Sequence, residues 1–102
     1  MYITVRKYEG VVNPEEASKR IQQGFAPLIS GMPGFLDYVW ADLGGGSLLS
    51  VAIFEDQEHA KESNRLAAGW VELNLGSVLP NACQVEKGVV KARKSSSKRA
   101  RA

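Results

Sequence analysis

The chain has 102 residues, 44% of them apolar, which is enough for one hydrophobic core and too little for two independently stable domains. Its formal net charge of +2 conceals a division: residues 91–102 carry six basic residues and no acidic one, and the remainder holds 7 basic against 11 acidic residues, a charge of −4. No apolar run approaches the ~20 residues that cross a bilayer, no charged-then-apolar export segment opens the chain, and the lone Cys83 excludes an intramolecular disulfide, so a soluble cytoplasmic protein is expected.

Residues 2–8 alternate, with Ile3 and Val5 on one side and Tyr2, Thr4, Arg6 and Tyr8 on the other, the pattern of a first strand. Asn13-Pro14-Glu15-Glu16 supplies an N-cap, a proline at the first helical position and a carboxylate that can bond back to the cap. The helix it opens keeps Ala17, Ile21, Phe25, Leu28 and Met32 at helical spacing, is weakened at Gly24 and Pro27, and stops at Gly31 and Pro33. Phe35–Asp42 and Ser47–Glu55 are antiparallel strands joined by the hairpin loop 43–46. Asp56 caps a second helix running to Leu75, where Gly76 ends it. The Pro80-Asn81 turn then leads to a last strand over residues 83–90. Residues 91–102 lack the apolar side chains that would offset the entropy of ordering, and a disordered basic tail is expected.

A β-α-β-β-α-β order hides its apolar stripes when both helices lie on one face of a four-stranded antiparallel sheet, the ferredoxin-like α+β arrangement. The opposite sheet face is expected to carry Tyr2, Tyr8, Tyr38 and Trp40. That surface is too apolar for water and calls for a second copy of the chain.

Four landmarks extend this picture: a first strand ending near Tyr8, a helix running into Met32-Pro33-Gly34-Phe35, Phe54-Glu55-Asp56 closing the third strand, and Ser63-Asn64 ahead of Trp70 on the second helix. Over residues 1–90, without the tail of residues 91–102, the combination resembles the antibiotic biosynthesis monooxygenase-like domains of the dimeric α+β barrel superfamily. The resemblance implies a homodimer whose sheets pack face to face, with a small pocket between sheet and helices in each subunit. It also implies, for some members, oxygenation of aromatic polyketides or quinols without a cofactor or metal, and for others no established activity. By the same resemblance Asn64 and Trp70 take the catalytic places. Haem chemistry does not carry over, because relatives that degrade haem need a histidine late in the second helix and the sole His59 lies in its first turn.

The residues themselves leave alternatives. Asn64, a carboxamide inside an apolar stripe, must find partners and either braces backbone or meets a ligand. Trp70 is either core or a donor facing a cavity. Arg6, Tyr8, Tyr38 and Trp40 are candidate substrate-binding residues that would line a planar aromatic ligand's site, or else they form the dimer interface. His59 reads as an exposed residue near the helix cap, and Cys83 as a small buried side chain without an activating neighbour. No zinc spacing is present, and the third strand has too few aromatic and basic residues for an RNA-recognition module. The leading expectation is a small-molecule-binding dimer related to the cofactor-independent monooxygenases, acting on an aromatic or quinol-like substrate. The alternative is a non-enzymatic dimer whose basic tail binds nucleic acid weakly and without specificity.

Overall fold

The computed structural model describes residues 1–79 and 83–96. Strand β1 (Tyr2–Tyr8) is followed by helix α1 (Pro14–Arg20), a π-helical turn (Ile21–Phe25), helix α2 (Ala26–Ser30), strands β2 (Phe35–Gly44) and β3 (Ser47–Phe54), helix α3 (Gln57–Leu75) and strand β4 (Gln84–Val89). The sheet order is β2-β3-β1-β4 with every pair antiparallel, so the expected ferredoxin-like fold is present.

Local chemistry accounts for the boundaries. The Asn13 side chain accepts the Glu16 N–H at 3.2 Å and the Asp56 side chain accepts the His59 N–H at 3.0 Å, each satisfying a donor that the helix start leaves open. The weakness expected at Pro27 takes a definite form. Proline offers no N–H, and its ring would strike the carbonyl four residues back. The helix widens there, and the Ala26 N–H reaches back five residues to the Ile21 carbonyl. Gly45 and Gly46 have φ of 63° and 84°, the left-handed values a two-residue hairpin turn needs, so β2 pairs as far as Gly44 and the loop is shorter than the four residues expected. The Pro80-Asn81 turn lies outside the described residues.

The core lies between the sheet and the helices, around Tyr8, Ile21, Phe25, Leu48 and Phe54. Phe54 is fully buried, which contributes roughly 1.5–3 kcal/mol. One expectation is reversed. Tyr8, Tyr38 and Trp40 face the helices, as does Tyr2 in register with the buried Phe54, and not the open side of the sheet. Alternation separates two sets of residues without saying which set turns inward. The choice is made by the small buried residues Ala17, Ala60, Ser63 and Ala67 on the helices, which leave room for large rings from the sheet. The open face is aliphatic instead: Val5, Val51 and Val39 stand in one cross-strand row, beside Ile3 paired with Ile53. Beyond β4 the Arg93 guanidinium pairs with Asp37 on β2 and also reaches Met1 Sδ. No helix among the described residues is long and apolar enough to cross a membrane.

Candidate functional site

The inward-facing row of β1 places Thr4, Arg6 and Tyr8 beneath the middle of α3, and Asn64 descends from the helix to meet them. Thr4 Oγ1 donates to Asn64 Oδ1 at 3.0 Å and Arg6 Nη1 donates to the same oxygen at 3.3 Å. A guanidinium has no acceptor, so the carboxamide can present only its oxygen to Arg6. Its Nδ2 is thereby turned away, and among the described residues that nitrogen has no protein partner. Of the two readings of Asn64, the first is realised through side chains of the sheet and not through backbone, and two N–H donors remain for something else.

Arg6 is buried, with 8% of its surface exposed. Its Nε donates to the Tyr8 hydroxyl at 3.0 Å, and its guanidinium carbon lies 5.9 Å from the centre of the Tyr8 ring. Burial pushes the Tyr8 phenol above its ordinary pKa of 10.0, against the pull of the neighbouring Arg6 charge; Cys83 is a further hydrogen-bond partner of that hydroxyl. Burial also drives the Tyr38 phenol well up, although Ser50 bonds its hydroxyl and Arg6 attracts its anion. Both tyrosines are therefore neutral donors at physiological pH.

Two spaces adjoin this cluster. A small, partly open recess of about 10 Å³ is lined by Thr4, Arg6, Tyr38, Ser50 and Asn64, with Phe25 and Ile29 from the helical layer. A half-open cleft of about 430 Å³ lies between the first helical layer and β2, with Ser18, Ile21, Gln22 and Ala26 on one wall and Tyr38, Trp40 and Asp42 on the other. Tyr38 belongs to both. Its ring meets Phe25 edge-on at 5.6 Å, while Trp40 packs 5.6 Å from Tyr8 and donates its indole N–H to Ser18 Oγ at 2.9 Å. The cleft falls within the range of small-molecule sites.

The structure thus brings together Arg6, Tyr8, Tyr38 and Asn64, with Trp40 on the adjoining cleft. Trp70 stands apart. Six residues along a helix separate it from Asn64 by about 120° around the axis, and its ring packs 5.5 Å from Phe25 and against Gly24, where an added Cβ would lie 2.7 Å from Trp70 Cζ2. His59, half-buried, bonds Asp56 through Nδ1 at 2.8 Å. Three polar positions were not singled out in the sequence: Thr4, Ser50 and Ser18. The signal for the first two was their place on the inward row of strands β1 and β3, where a hydroxyl must have a partner. Among the described residues no three of His, Cys, Asp and Glu are grouped to hold a metal.

A four-stranded antiparallel sheet, backed by helices that enclose a polar cluster, defines an α+β domain with the fold of the antibiotic biosynthesis monooxygenase proteins. No protein-family model matches the sequence, and no curated protein matches it. Among solved structures, a protein of unknown function from Nitrosomonas europaea is similar at 17% identity and a TM-score of 0.77, over 94% of each chain. A monooxygenase from Streptomyces coelicolor, solved in complex with nanaomycin D, is similar at 16% identity and a TM-score of 0.71, over 94% of this chain and 92% of that one. A cofactor-independent oxygenase from Streptomyces nogalater is similar at 20% identity and a TM-score of 0.61, over 92% of this chain and 94% of that one. Identities at this level establish the shared fold.

Proposed function

We propose that this domain binds a small hydroxylated aromatic molecule between sheet and helices and oxygenates it without a cofactor. The observation that carries the reading is Asn64: its oxygen is committed to Thr4 and Arg6, its amide N–H groups make no hydrogen bond among the described residues, and the residue lines a small recess. The fold shared with a monooxygenase that binds nanaomycin D and with a cofactor-independent oxygenase supports it.

The chemistry asks little of the protein beyond binding and electrostatics. A ring carbon bearing two hydrogens, flanked by conjugated oxygens, loses a proton to give a carbanion that the substrate's own ring stabilises. That carbanion transfers its electrons to dioxygen. One oxygen atom remains on the carbon as a carbonyl, and the other leaves as water with the two hydrogens, so a methylene is oxidised to a ketone while dioxygen is reduced. The amide donors of Asn64 hold a ring oxygen on which the negative charge accumulates, stabilisation that grows toward the transition state. Trp40 supplies a flat wall for the ring. Trp70 serves this site indirectly, by keeping Phe25 in place.

The same reading includes a homodimer formed through the aliphatic open face, since Ile3, Val5, Val39, Val51 and Ile53 make a contiguous apolar surface on one side of the sheet. Thermal-shift screening and co-crystallisation with hydroquinones and polyketide-like phenols test the proposal. A ligand seated beside Asn64 is the expected outcome. A protein that binds none of them contradicts the proposal and favours the alternative reading of a non-enzymatic protein.

A further inference from the structure

We propose that Arg6 makes the recess beside Asn64 a site for one oxyanion, so that the ligand enters as an ionised phenol or enol and its neutral counterpart is rejected. This rests on the reading of the domain as a binder of hydroxylated aromatics and names the ionisation state it selects. Arg6 is 8% exposed, yet among the described residues no carboxylate comes within 4.0 Å of its guanidinium. Residues 80–82 and 97–102 contain no aspartate or glutamate. A buried cation that serves structure alone is ordinarily paired, because an uncompensated charge away from water destabilises the fold. Here the groups around it are all uncharged partners: Tyr8 and Asn64 bond it directly, Thr4 shares the Asn64 oxygen, and Tyr38 and Ser50 complete the wall. The titratable ones among its neighbours are Tyr8, Tyr38 and, next to Tyr8, Cys83.

The donors left over agree with this. Arg6 Nη2 and Asn64 Nδ2 make no hydrogen bond among the described residues, and neither is fully sealed from solvent without a partner. The recess that Arg6 and Asn64 line, about 10 Å³, is room for about one water-sized group. A ring cannot enter it, but the cleft of about 430 Å³ lies directly behind Tyr38. Displacement of the Tyr38 side chain joins the two spaces. The ring then lies against Trp40, Ile21 and Ala26, and its oxygen replaces the Tyr38 hydroxyl near Arg6. Charge and shape together select a flat molecule with one acidic hydroxyl.

The probe is para-nitrophenol, whose anion is yellow and whose neutral form is not, with para-nitroanisole as its permanently neutral counterpart. Wild-type protein is expected to bind the yellow form, to lower the ionisation of the bound probe by about one pH unit, a tenfold preference for the anion, and to bind nitroanisole at least about tenfold more weakly. Arg6→Gln is expected to abolish the preference. Arg6→Gln removes the charge but keeps an N–H donor for Tyr8 or Asn64, so its melting temperature is expected to stay near that of wild type, whereas Arg6→Met also forfeits the hydrogen bonds to both; retained stability in Arg6→Gln separates a binding role from a structural one. Binding of the neutral form by wild type, an unchanged preference in Arg6→Gln, or a collapse of stability in Arg6→Gln overturns the inference; the first two leave the aromatic-binding reading intact. Absence of binding by either probe overturns that reading with it.

Discussion

Arg6 and Asn64 meet across the boundary between sheet and helix, Nη1 to Oδ1 at 3.3 Å, and each fixes what the other can do. Arg6 sets which way the carboxamide points, and Asn64 gives a buried cation a neutral partner in place of a charged one. Asn64→Ala removes the acceptor shared by Arg6 and Thr4, and a loss of about 1–3 kcal/mol in denaturant unfolding is expected. Asn64→Asp keeps an oxygen in that place and neutralises Arg6. It should retain wild-type stability at neutral pH while losing ligand binding, so the two variants part company in stability and agree in function.

Gly24 has a role that only its neighbour reveals. Alanine is the better helix former, so on propensity alone Gly24→Ala stabilises by up to about 1 kcal/mol. A Cβ there would lie 2.7 Å from the Trp70 ring, which Phe25 blocks from retreating. Net destabilisation of about 1–2 kcal/mol is expected from overpacking. Chemical denaturation of Gly24→Ala beside Gly24→Ala/Trp70→Leu checks it, since the smaller partner should remove most of the penalty.

Alkaline stability follows from the two buried tyrosines. Burial raises the folded-state pKa of both Tyr8 and Tyr38 above the ordinary 10.0. Below pH 10 both are protonated whether the chain is folded or not, and their stabilising effect is fully present. Above it the unfolded chain ionises first, and stability falls by about 1.4 kcal/mol per pH unit for each tyrosine until the folded pKa is passed. Tyrosinate absorbance should rise for Tyr8 and Tyr38 together with unfolding, and Tyr38→Phe should flatten the decline.

The open sheet face makes a separate claim about assembly. Val51 lies at the centre of the row it forms with Val5 and Val39, pointing away from the helices. Val51→Lys leaves the core untouched and places a charge where the second copy would pack. Light scattering should show a dimer for the wild type and half its mass for the variant, with an unchanged circular dichroism spectrum.

Much of this was legible in the residues. Alternation in residues 2–8, the Asn13-Pro14 and Asp56 helix starts and the glycine hairpin placed the elements nearly to the residue, because each is a local signal with a local cause. Which side of the sheet turned inward was not legible. Tyr8 and Tyr38 look equally suited to an interface and to a pocket, and the decision rests on small buried residues distant in sequence, Ala17, Ser63 and Ala67, which leave volume between sheet and helices. Asn64 was identifiable as a carboxamide in an apolar stripe. That its partner is a buried cation lacking a carboxylate could not be, since the contact spans 58 positions.

The central claim, oxygenation by the substrate's own electrons at a site organised by Asn64, is met most directly by dioxygen uptake. Purified protein stripped of metals and flavin would be mixed with an anthrone-type phenol under isotopically labelled oxygen, beside folded Asn64→Asp. The expected result is one dioxygen consumed per quinone formed, with a single labelled atom in the product and a rate lost in the variant. Uptake no faster than the spontaneous reaction, or equal in wild type and variant, would contradict it.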